Sequence, residues 1–278
     1  MYLIPGSTIE RLKTDGFLLV PLNKEAAEAV SATFEAAYPF FHAPLEEKVS
    51  NKLSQDSGYR PMGVEYSQSP DRPDQVESFT ASVRTRSAIA ELQSVSAQLL
   101  FECMLKTIDI FERIAEEITI QLANEVGDRP ASENLYGAFR RWSRMQLNYS
   151  RPSEVTKPFI NELHEDGNLI TVACTTGPGL ERQTATGAFV PITTRADEVI
   201  VMPGEIAWLL SGGQISPLYH RVQPESCFSE RMALLFFGDI NPRFCEPWVK
   251  NEINANVDIG ARVLTNANRY GLQGFTLE

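Results

Sequence analysis

The sequence predicts an α+β protein in which a helical N-terminal part packs against a C-terminal β core. Two features indicate this. Helical periodicity dominates up to about residue 135, and short apolar runs broken by Gly and Pro follow from Phe139 onwards. The 278 residues, 43% of them hydrophobic, can bury the core of one large domain. We therefore expect a single integrated domain over 1–278, with a helix-rich part (1–135), a β core (136–245) and a C-terminal tail (246–278).

The N-terminal part is predicted to begin with a short helix and a strand. Ser7–Glu10 reads S-T-I-E, a capping-box pattern that favours a helix through Lys13, and Gly16 ends it. The run FLLVPL predicts a strand, and the alanine-rich stretch NKEAAEAVSATFEAAYPFF predicts a second helix. Glu46–Asp74 is rich in Ser, Gly, Pro and Asp, which predicts loops with a short strand around Gly63–Tyr66.

A longer helix is predicted over Ser94–Glu125. Its apolar residues recur at intervals of three and four and form one stripe, which is typical of a helix packed on a core. The stripe consists of Leu100, Met104, Ile108, Phe111, Ala115, Ile118 and Leu122. We interpret this helix as scaffold.

The second half of the chain reads as a series of short strands. The runs RMQLNYS, ITVACTT, VIVMPG, IAWLL and MALLFF are separated by turn residues, a pattern that indicates an all-β sandwich or barrel. The tail ends in NRYGLQGFTLE, which could fold over the mouth of a site as a lid through Tyr270, Leu272 and Phe275, or dock elsewhere on the core.

Composition narrows the classes of partner. The net charge of -11 argues against nucleic acid as a ligand, whereas a small-molecule substrate is compatible with it. No apolar stretch approaches the roughly 18 residues that a membrane-spanning helix needs, so we expect no membrane partner. The N-terminus shows no secretory signal, and the four cysteines are widely spaced, which favours reduced thiols in a cytoplasmic protein. The oligomeric state is not encoded in any pattern that we recognise.

Two of the three histidines suggest a metal site. His164 and Asp166 form an H-x-D pair, and residues i and i+2 of a strand point to the same face, so both could bind one ion while Glu165 points away. His220 would have to come from a distant strand. Two imidazoles and one carboxylate can occupy one face of an octahedral Fe(II), although the same ligands also suit Ni(II), Cu(II) or Zn(II). Arg231 follows eleven residues after His220 and opens a strand-like run.

Each of these signals is weak alone. An H-x-D triplet is common by chance, and a lone histidine is more often a hydrogen-bonded core residue than a ligand. The combination on strand-like segments, with the arginine downstream, favours the metal site. His42 lies in the helical part beside a proline, and we give it no metal role.

Several segments together resemble a known family. They are DGFLLV, FFHAPLEEK, GYRPMG and VESF in the first half, and LNYSRP, HEDGNLITV, SGG, HRV and the arginine strand in the second. In these segments the chain resembles the isopenicillin N synthase-like family of non-haem Fe(II)/2-oxoglutarate-dependent dioxygenases. The resemblance implies a double-stranded β-helix (jelly roll) core carrying the metal site, with flanking N-terminal helices.

The resemblance also implies roles for individual residues. His164, Asp166 and His220 would hold Fe(II), and Arg231 would bind the distal carboxylate of 2-oxoglutarate, with Asn148 as a further co-substrate contact. O2 would be the oxidant, and ascorbate an optional reductant. The reaction would oxidise a C–H bond of a small metabolite, such as an amino acid or a natural-product intermediate, by hydroxylation, desaturation or ring closure.

Two departures from the family pattern keep alternatives open. Ala233 stands where the family usually has a serine two residues after the arginine, and Ser150 stands where it often has a tyrosine. An Fe(II) oxidase that does not use 2-oxoglutarate, with Arg231 binding the carboxylate of its own substrate, is therefore the second hypothesis. A third is a catalytically inactive binding protein of the same fold. Arg60 and Arg84 could hold a substrate anion, although exposed salt-bridge arginines are the commoner case.

A hydrolase is the weakest alternative. The sequence contains neither a G-x-S-x-G nucleophile elbow nor a Gly-rich phosphate loop ending in G-K-[ST].

Overall fold

Two antiparallel β-sheets form the centre of the molecule. The computed structural model describes residues 8–53, 57–127, 142–225 and 227–271. The strands in these ranges are β1 (Leu18–Pro21), β2 (Gly58–Arg60), β3 (Glu77–Ala81), β4 (Arg144–Ser150), β5 (Asn161–His164), β6 (Ile170–Thr175), β7 (Leu180–Gln183), β8 (Phe189–Pro191), β9 (Glu198–Pro203), β10 (His220–Val222) and β11 (Arg231–Gly238). The two sheets and their flanking helices confirm the predicted jelly-roll fold class.

The major sheet has seven strands in the order β1-β9-β6-β11-β4-β3-β2, and the minor sheet has four in the order β5-β10-β7-β8. Strand β11 lies at the middle of the major sheet and pairs with both β4 and β6. Strands β1, β2 and β3 precede residue 136 and still belong to the major sheet. The helix-rich N-terminal part therefore contributes strands to the same sheet as the β core.

The helices are α1 (Thr8–Asp15), α2 (Lys24–Phe41), α3 (Leu45–Ser50), α4 (Val95–Val126), α5 (Glu205–Leu210) and α6 (Ile259–Thr265). Helix α4 confirms the predicted long helix, and the Ser94 side chain caps it by accepting a hydrogen bond from the N–H of Ala97. Helix α1 also matches its prediction, although Ser7 of the capping box lies outside the described residues. No helix in the described ranges is both long and apolar enough to span a membrane.

Successive side chains of β11 point to opposite faces of the major sheet, one towards the helices and the other towards the minor sheet. Met232, Leu234 and Phe236 are buried in the same apolar cluster as the stripe of α4, which packs on the major sheet. The alternate residues, among them Arg231 and Ala233, line a cavity between the two sheets. One face of the sheet is thus scaffold, and the opposite face is available for chemistry.

Two predicted strands are wrong. The run IAWLL belongs to helix α5, not to a strand, because a short apolar run without alternation fits either element and its Leu and Ala are good helix formers. The strand expected around Gly63–Tyr66 is absent from these described residues. Strand β2 lies just before it, where the buried Tyr59 pairs with Phe79 of β3. All four cysteines are free.

Candidate metal centre

His164 and His220 are direct cross-strand neighbours in the minor sheet. His164 ends β5, His220 begins β10, and the two residues face each other in the antiparallel register. Side chains at directly opposed positions lie on the same face of a sheet. Their ring centroids are 4.4 Å apart. Two residues that are far apart in sequence are therefore adjacent in space.

Backbone carbonyls orient both imidazole rings. Nδ1 of His164 lies 2.6 Å from the carbonyl oxygen of Glu162, and Nδ1 of His220 lies 3.0 Å from that of Leu218. A carbonyl can only accept, so each Nδ1 carries the proton and each Nε2 keeps its lone pair for a ligand. Burial lowers the pKa of His220, and the neighbouring charge of His164 lowers it further. This favours the neutral ring that a metal requires.

Asp166 reaches the histidines from a loop. The prediction that His164 and Asp166 share a strand is wrong, because β5 ends at His164. Thr171 of β6 donates a hydrogen bond of 2.5 Å to Oδ2 of Asp166, while Oδ1 stands 3.8 Å from Nε2 of His164. The N–H of Glu205, at the start of α5, donates to the backbone oxygen of Asp166. Strand β6 therefore orients the carboxylate, and α5 fixes the backbone that carries it.

These three side chains can hold one metal ion. One ligand atom from each of His164, Asp166 and His220 lies within 4.8 Å of the others, and Asp166 and His220 are buried. Ligand bonds of about 2.0–2.2 Å to nitrogen and oxygen place the donors of one octahedral face roughly 3 Å apart. Coordination would bring the three donor atoms from within 4.8 Å of one another to about this separation. Two neutral imidazoles and one carboxylate match the donor set that suits Fe(II) with open positions.

Arg231 is a buried cation without a carboxylate partner among the residues that the structure describes. Its Nε donates to the carbonyl of Pro178 at 2.9 Å, and no acidic group of those residues lies within ion-pair distance of its guanidinium. Burial lowers the pKa of Arg231 to about 10, which still leaves it charged at neutral pH. Glu230, its neighbour in sequence, does not pair with it, because Glu230 contacts His42 and the Tyr149 hydroxyl.

A cavity of about 130 Å³ connects Arg231 with the histidines. Asn148 and Ala233 both line it, and Asn148 lies opposite Ala233 in the register of β4 and β11. Oδ1 of Asn148 accepts from Nε2 of Gln146 at 2.7 Å, and no described residue accepts from the amide N–H groups of Asn148, which can donate to a ligand. Ala233 offers no hydroxyl, and Ser150 lies beside Arg231 without lining the cavity.

A buried polar network along one wall of this cavity left no pattern in the sequence. Glu65 accepts hydrogen bonds from Nε of Arg60 at 2.8 Å and from Nε2 of Gln146 at 2.7 Å, and also one from Ser78. The charge of Arg60 and these hydrogen bonds outweigh burial and lower the pKa of Glu65. Arg60 is buried, so the expectation of an exposed arginine is wrong for it.

Arg84 lies elsewhere, with its guanidinium 5.5 Å from the Trp142 ring centroid. Neither Arg60 nor Arg84 lines the cavity. The two arginines that could have held a substrate anion are therefore not part of its wall.

The end of the described chain covers one side of the site. The Tyr270 hydroxyl donates to the backbone oxygen of Glu165 at 2.6 Å, and its ring centroid lies 6.2 Å from that of His164. Arg269 forms ion pairs with Glu165 at 2.9 Å and with Glu205 at 2.7 Å. Leu272 and Phe275 lie outside the described residues. The lid stays a prediction, and these contacts are the ones that would anchor it.

Comparisons with known proteins identify the fold. No family sequence model matches the chain, and no curated protein matches it in sequence. Among solved structures, a full-length Neurospora crassa protein in complex with alpha-KG is 18% identical with a TM-score of 0.74, over 93% of this chain and 88% of that one. The rice dioxygenase for auxin oxidation is 20% identical with a TM-score of 0.64, over 83% and 76%. JOX2 in complex with 2OG, Fe and JA is 18% identical with a TM-score of 0.60, over 81% and 68%.

These similarities confirm the family resemblance at the level of the fold. The chain has the jelly-roll architecture of these oxygenase structures, and its H-x-D and distant histidine come together inside that architecture.

Proposed function

We propose that this protein is an Fe(II)- and 2-oxoglutarate-dependent dioxygenase that oxidises a C–H bond of a small molecule. The observation that carries the proposal is the pairing of two features in one cavity. One is a two-histidine, one-carboxylate ligand set, and the other is a buried arginine without a counter-ion in the described part of the chain. A ligand that binds a metal at one end and carries a carboxylate at the other would satisfy both.

His164, Asp166 and His220 would hold the metal, which when bound supplies the site for activating O2. The protein's own contribution is to hold those three ligands on one face of the ion, so that the opposite face stays open. The carbonyls of Glu162 and Leu218 fix the two imidazole tautomers, and the Thr171 hydroxyl fixes the carboxylate. Such supporting hydrogen bonds orient ligands and tune their basicity.

Arg231 would bind the distal carboxylate of 2-oxoglutarate. Its Nε is already used by Pro178, so the two terminal nitrogens remain for a charge-assisted pair with the carboxylate. The amide N–H groups of Asn148 supply a further donor on the same wall. Apolar side chains also line the cavity and would help to exclude water from the bound co-substrate. They are formed by Leu180, Met202, Val222 and Leu235.

The substrate is expected to be a small molecule. The Neurospora crassa protein has been crystallised with thymine and with 5-formyluracil, and JOX2 with JA, so proteins of this fold accept small organic compounds. A cavity of about 130 Å³ fits the same size class.

An Fe(II) oxidase that omits 2-oxoglutarate is the second candidate, and one observation favours it. Ala233 faces the cavity beside Arg231 but donates no hydrogen bond to a carboxylate, so the carboxylate of the substrate itself could occupy Arg231. The guanidinium of Arg231 alone does not discriminate between 2-oxoglutarate and a substrate that carries a carboxylate.

Binding of 2-oxoglutarate tests the proposal directly. Anaerobic calorimetry with Fe(II) present should detect 2-oxoglutarate binding, and Arg231→Gln should weaken it by about 10- to 100-fold, because a hydrogen-bonded charge pair is lost. Arg195→Gln is the control, because Arg195 is exposed and paired with Asp197 and Glu198. Absence of binding by the parent protein, together with O2 uptake that needs no added 2-oxoglutarate, would favour the oxidase.

A further inference from the structure

The cavity has a second polar end, away from Arg231. Arg144 begins β4, Phe237 lies opposite it near the end of β11, and Asp239 follows just beyond. All three line the cavity. At about 3.3 Å per residue, the strand places the Cα atoms of Arg231 and Asp239 roughly 26 Å apart. A ligand group at Asp239 is therefore distinct from the one held by Arg231.

Asp239 is a buried carboxyl group that accepts one hydrogen bond from the described residues. Oδ1 accepts from the N–H of Leu169 at 2.9 Å, whereas Oδ2 has no donor within the described ranges. The backbone N–H of Asp239 is used separately, by the hydroxyl oxygen of Ser143. Burial raises the pKa of Asp239 well above its usual range, and the positive charge of Arg144 opposes this only in part. Burial removes water from this carboxyl group, and the described residues replace that water with a single hydrogen bond.

The other carboxylates that line the cavity are better satisfied. Two of them accept side-chain hydrogen bonds on both oxygens, and the third belongs to the metal ligand set. The donors are Arg60, Ser78 and Gln146 to Glu65, and Ser67 and Asn161 to Asp74, while Asp166 accepts from Thr171. Asp239 differs from these because one of its oxygens has no donor among the described residues.

We propose that Asp239 accepts a hydrogen bond from a nitrogen-bound hydrogen of the substrate, so that the substrate is an amine or an N–H heterocycle. This rests on the proposed function, because it takes the cavity as the substrate site. An ammonium group would also neutralise the buried carboxylate, and a heterocyclic N–H would fill the missing donor position without charge. Phe237 and Tyr270 line the same cavity and supply aromatic surface to the rest of such a molecule.

Two pairs of probe molecules distinguish these sources of the N–H group. Benzylamine is compared with benzyl alcohol, and 2-pyridone with N-methyl-2-pyridone, by calorimetry on the full chain. Because burial raises the pKa of Asp239, the comparison is made at a pH at which its carboxyl group is ionised. Each N–H probe is then expected to bind about 10- to 100-fold more tightly than its partner, as a hydrogen bond to a charged group provides. The titrations are run anaerobically, with and without Fe(II) and 2-oxoglutarate. Failure of the co-substrate to bind would contradict the proposed function while the probe preference stays measurable.

Variants at Asp239 test whether this residue causes the preference for the N–H probes. Asp239→Leu should abolish both preferences. Asp239→Asn keeps an acceptor for the N–H of Leu169 and so preserves folding, and it should lose the preference for benzylamine while keeping part of that for 2-pyridone. Asp74→Asn, at a cavity carboxylate whose oxygens are already hydrogen-bonded, should keep both preferences.

Two outcomes would overturn the assignment. One is that neither N–H probe binds the parent protein more tightly than its partner. The other is that both preferences survive in Asp239→Leu, with folding verified by its melting temperature.

Discussion

At the residue scale, the orientation of the side chains in the candidate metal centre depends on their hydrogen-bond partners. Each of the three proposed ligand side chains is held by a hydrogen bond to a group outside the proposed ligand set, namely the carbonyls of Glu162 and Leu218 and the hydroxyl of Thr171. The ligand types are recognisable in the sequence as an H-x-D pair and a distant histidine. Their partners are not, because a backbone carbonyl or a threonine leaves no pattern.

Removal of one ligand should abolish tight metal binding. Asp166→Ala leaves two imidazoles and removes the negative charge, so the affinity for Fe(II) in an anaerobic titration should fall by more than the roughly 10- to 100-fold that loss of a supporting hydrogen bond causes. Glu165→Gln is the matched control, because the Glu165 side chain pairs with Arg269 and lies outside the ligand set. Equal affinity of Asp166→Ala and the parent would refute the ligand assignment.

Asp74 should make stability depend on pH. Burial raises the pKa of Asp74 to about 6, despite opposing hydrogen bonds from Ser67 and Asn161. The folded state therefore binds the proton more tightly than the unfolded chain. The stability that this provides is complete below about pH 4 and is lost as the pH rises through about 6.

The measurement is the free energy of unfolding of the parent and of Asp74→Asn between about pH 4 and pH 7. Over this range the difference should shift by up to about 3 kcal/mol in favour of the variant, which cannot ionise. Asp71→Asn, at an exposed site in the same loop, is the control. A difference that stays constant with pH would contradict the prediction.

At the scale of elements, the turn from β9 into α5 supports the loop over residues 165–169, which carries Asp166. The N–H groups of Gly204, Glu205 and Ile206 donate to the carbonyls of Leu169, Asp166 and Asn168 in turn. A Cβ atom on Gly204 would collide with the carbonyl oxygens of Asn168 and Asp166. The close approach of the two backbones therefore requires glycine at this position.

Gly204→Ala should weaken both folding and metal binding. Displacing the loop is expected to cost about 1–3 kcal/mol of unfolding free energy, the usual range for overpacking, and to move the Asp166 carboxylate. Chemical denaturation and Fe(II) titration would measure the two effects. Gly177→Ala is the comparison, because its Cβ would meet only the Phe228 ring at an ordinary contact distance. Unchanged metal affinity in Gly204→Ala would show that the turn does not hold the loop in place.

Elements with a local signal can be predicted from the sequence, and those defined by distant contacts cannot. The stripe of α4 and the Ser94 cap are local, and the structure contains both. The run IAWLL is ambiguous because five consecutive residues with so little alternation carry no clear period. Glu65 and Asp239 escape sequence analysis because each is an isolated acid whose place in the cavity depends on strands far away in sequence.

On the scale of the whole molecule, the site is divided between the two sheets. His164 and His220 belong to the minor sheet, whereas Asn148 and Arg231 belong to the major sheet. Neither sheet alone contains both the proposed metal ligands and the proposed carboxylate anchor. A ligand that reaches both would connect the sheets across the cavity.

Joint binding of Fe(II) and 2-oxoglutarate should therefore stabilise the whole fold. At a free concentration of 100 times Kd, a ligand that binds only the folded state adds about 2.7 kcal/mol to the free energy of unfolding. In thermal melts, both components should raise the Tm of the parent. Arg231→Gln should keep the increase caused by the metal and lose the part caused by 2-oxoglutarate. A chelator should reverse both effects in the parent, and a Tm that does not respond would contradict the prediction.

The separation of the two sheets also sets a length scale. Packed sheets stand about 10 Å apart, and this spacing varies little because the surrounding core resists compression. The distance between the two sheets would then select the chain length of the 2-oxo acid. Oxaloacetate would be one carbon too short to reach both walls, and 2-oxoadipate one carbon too long to fit between them.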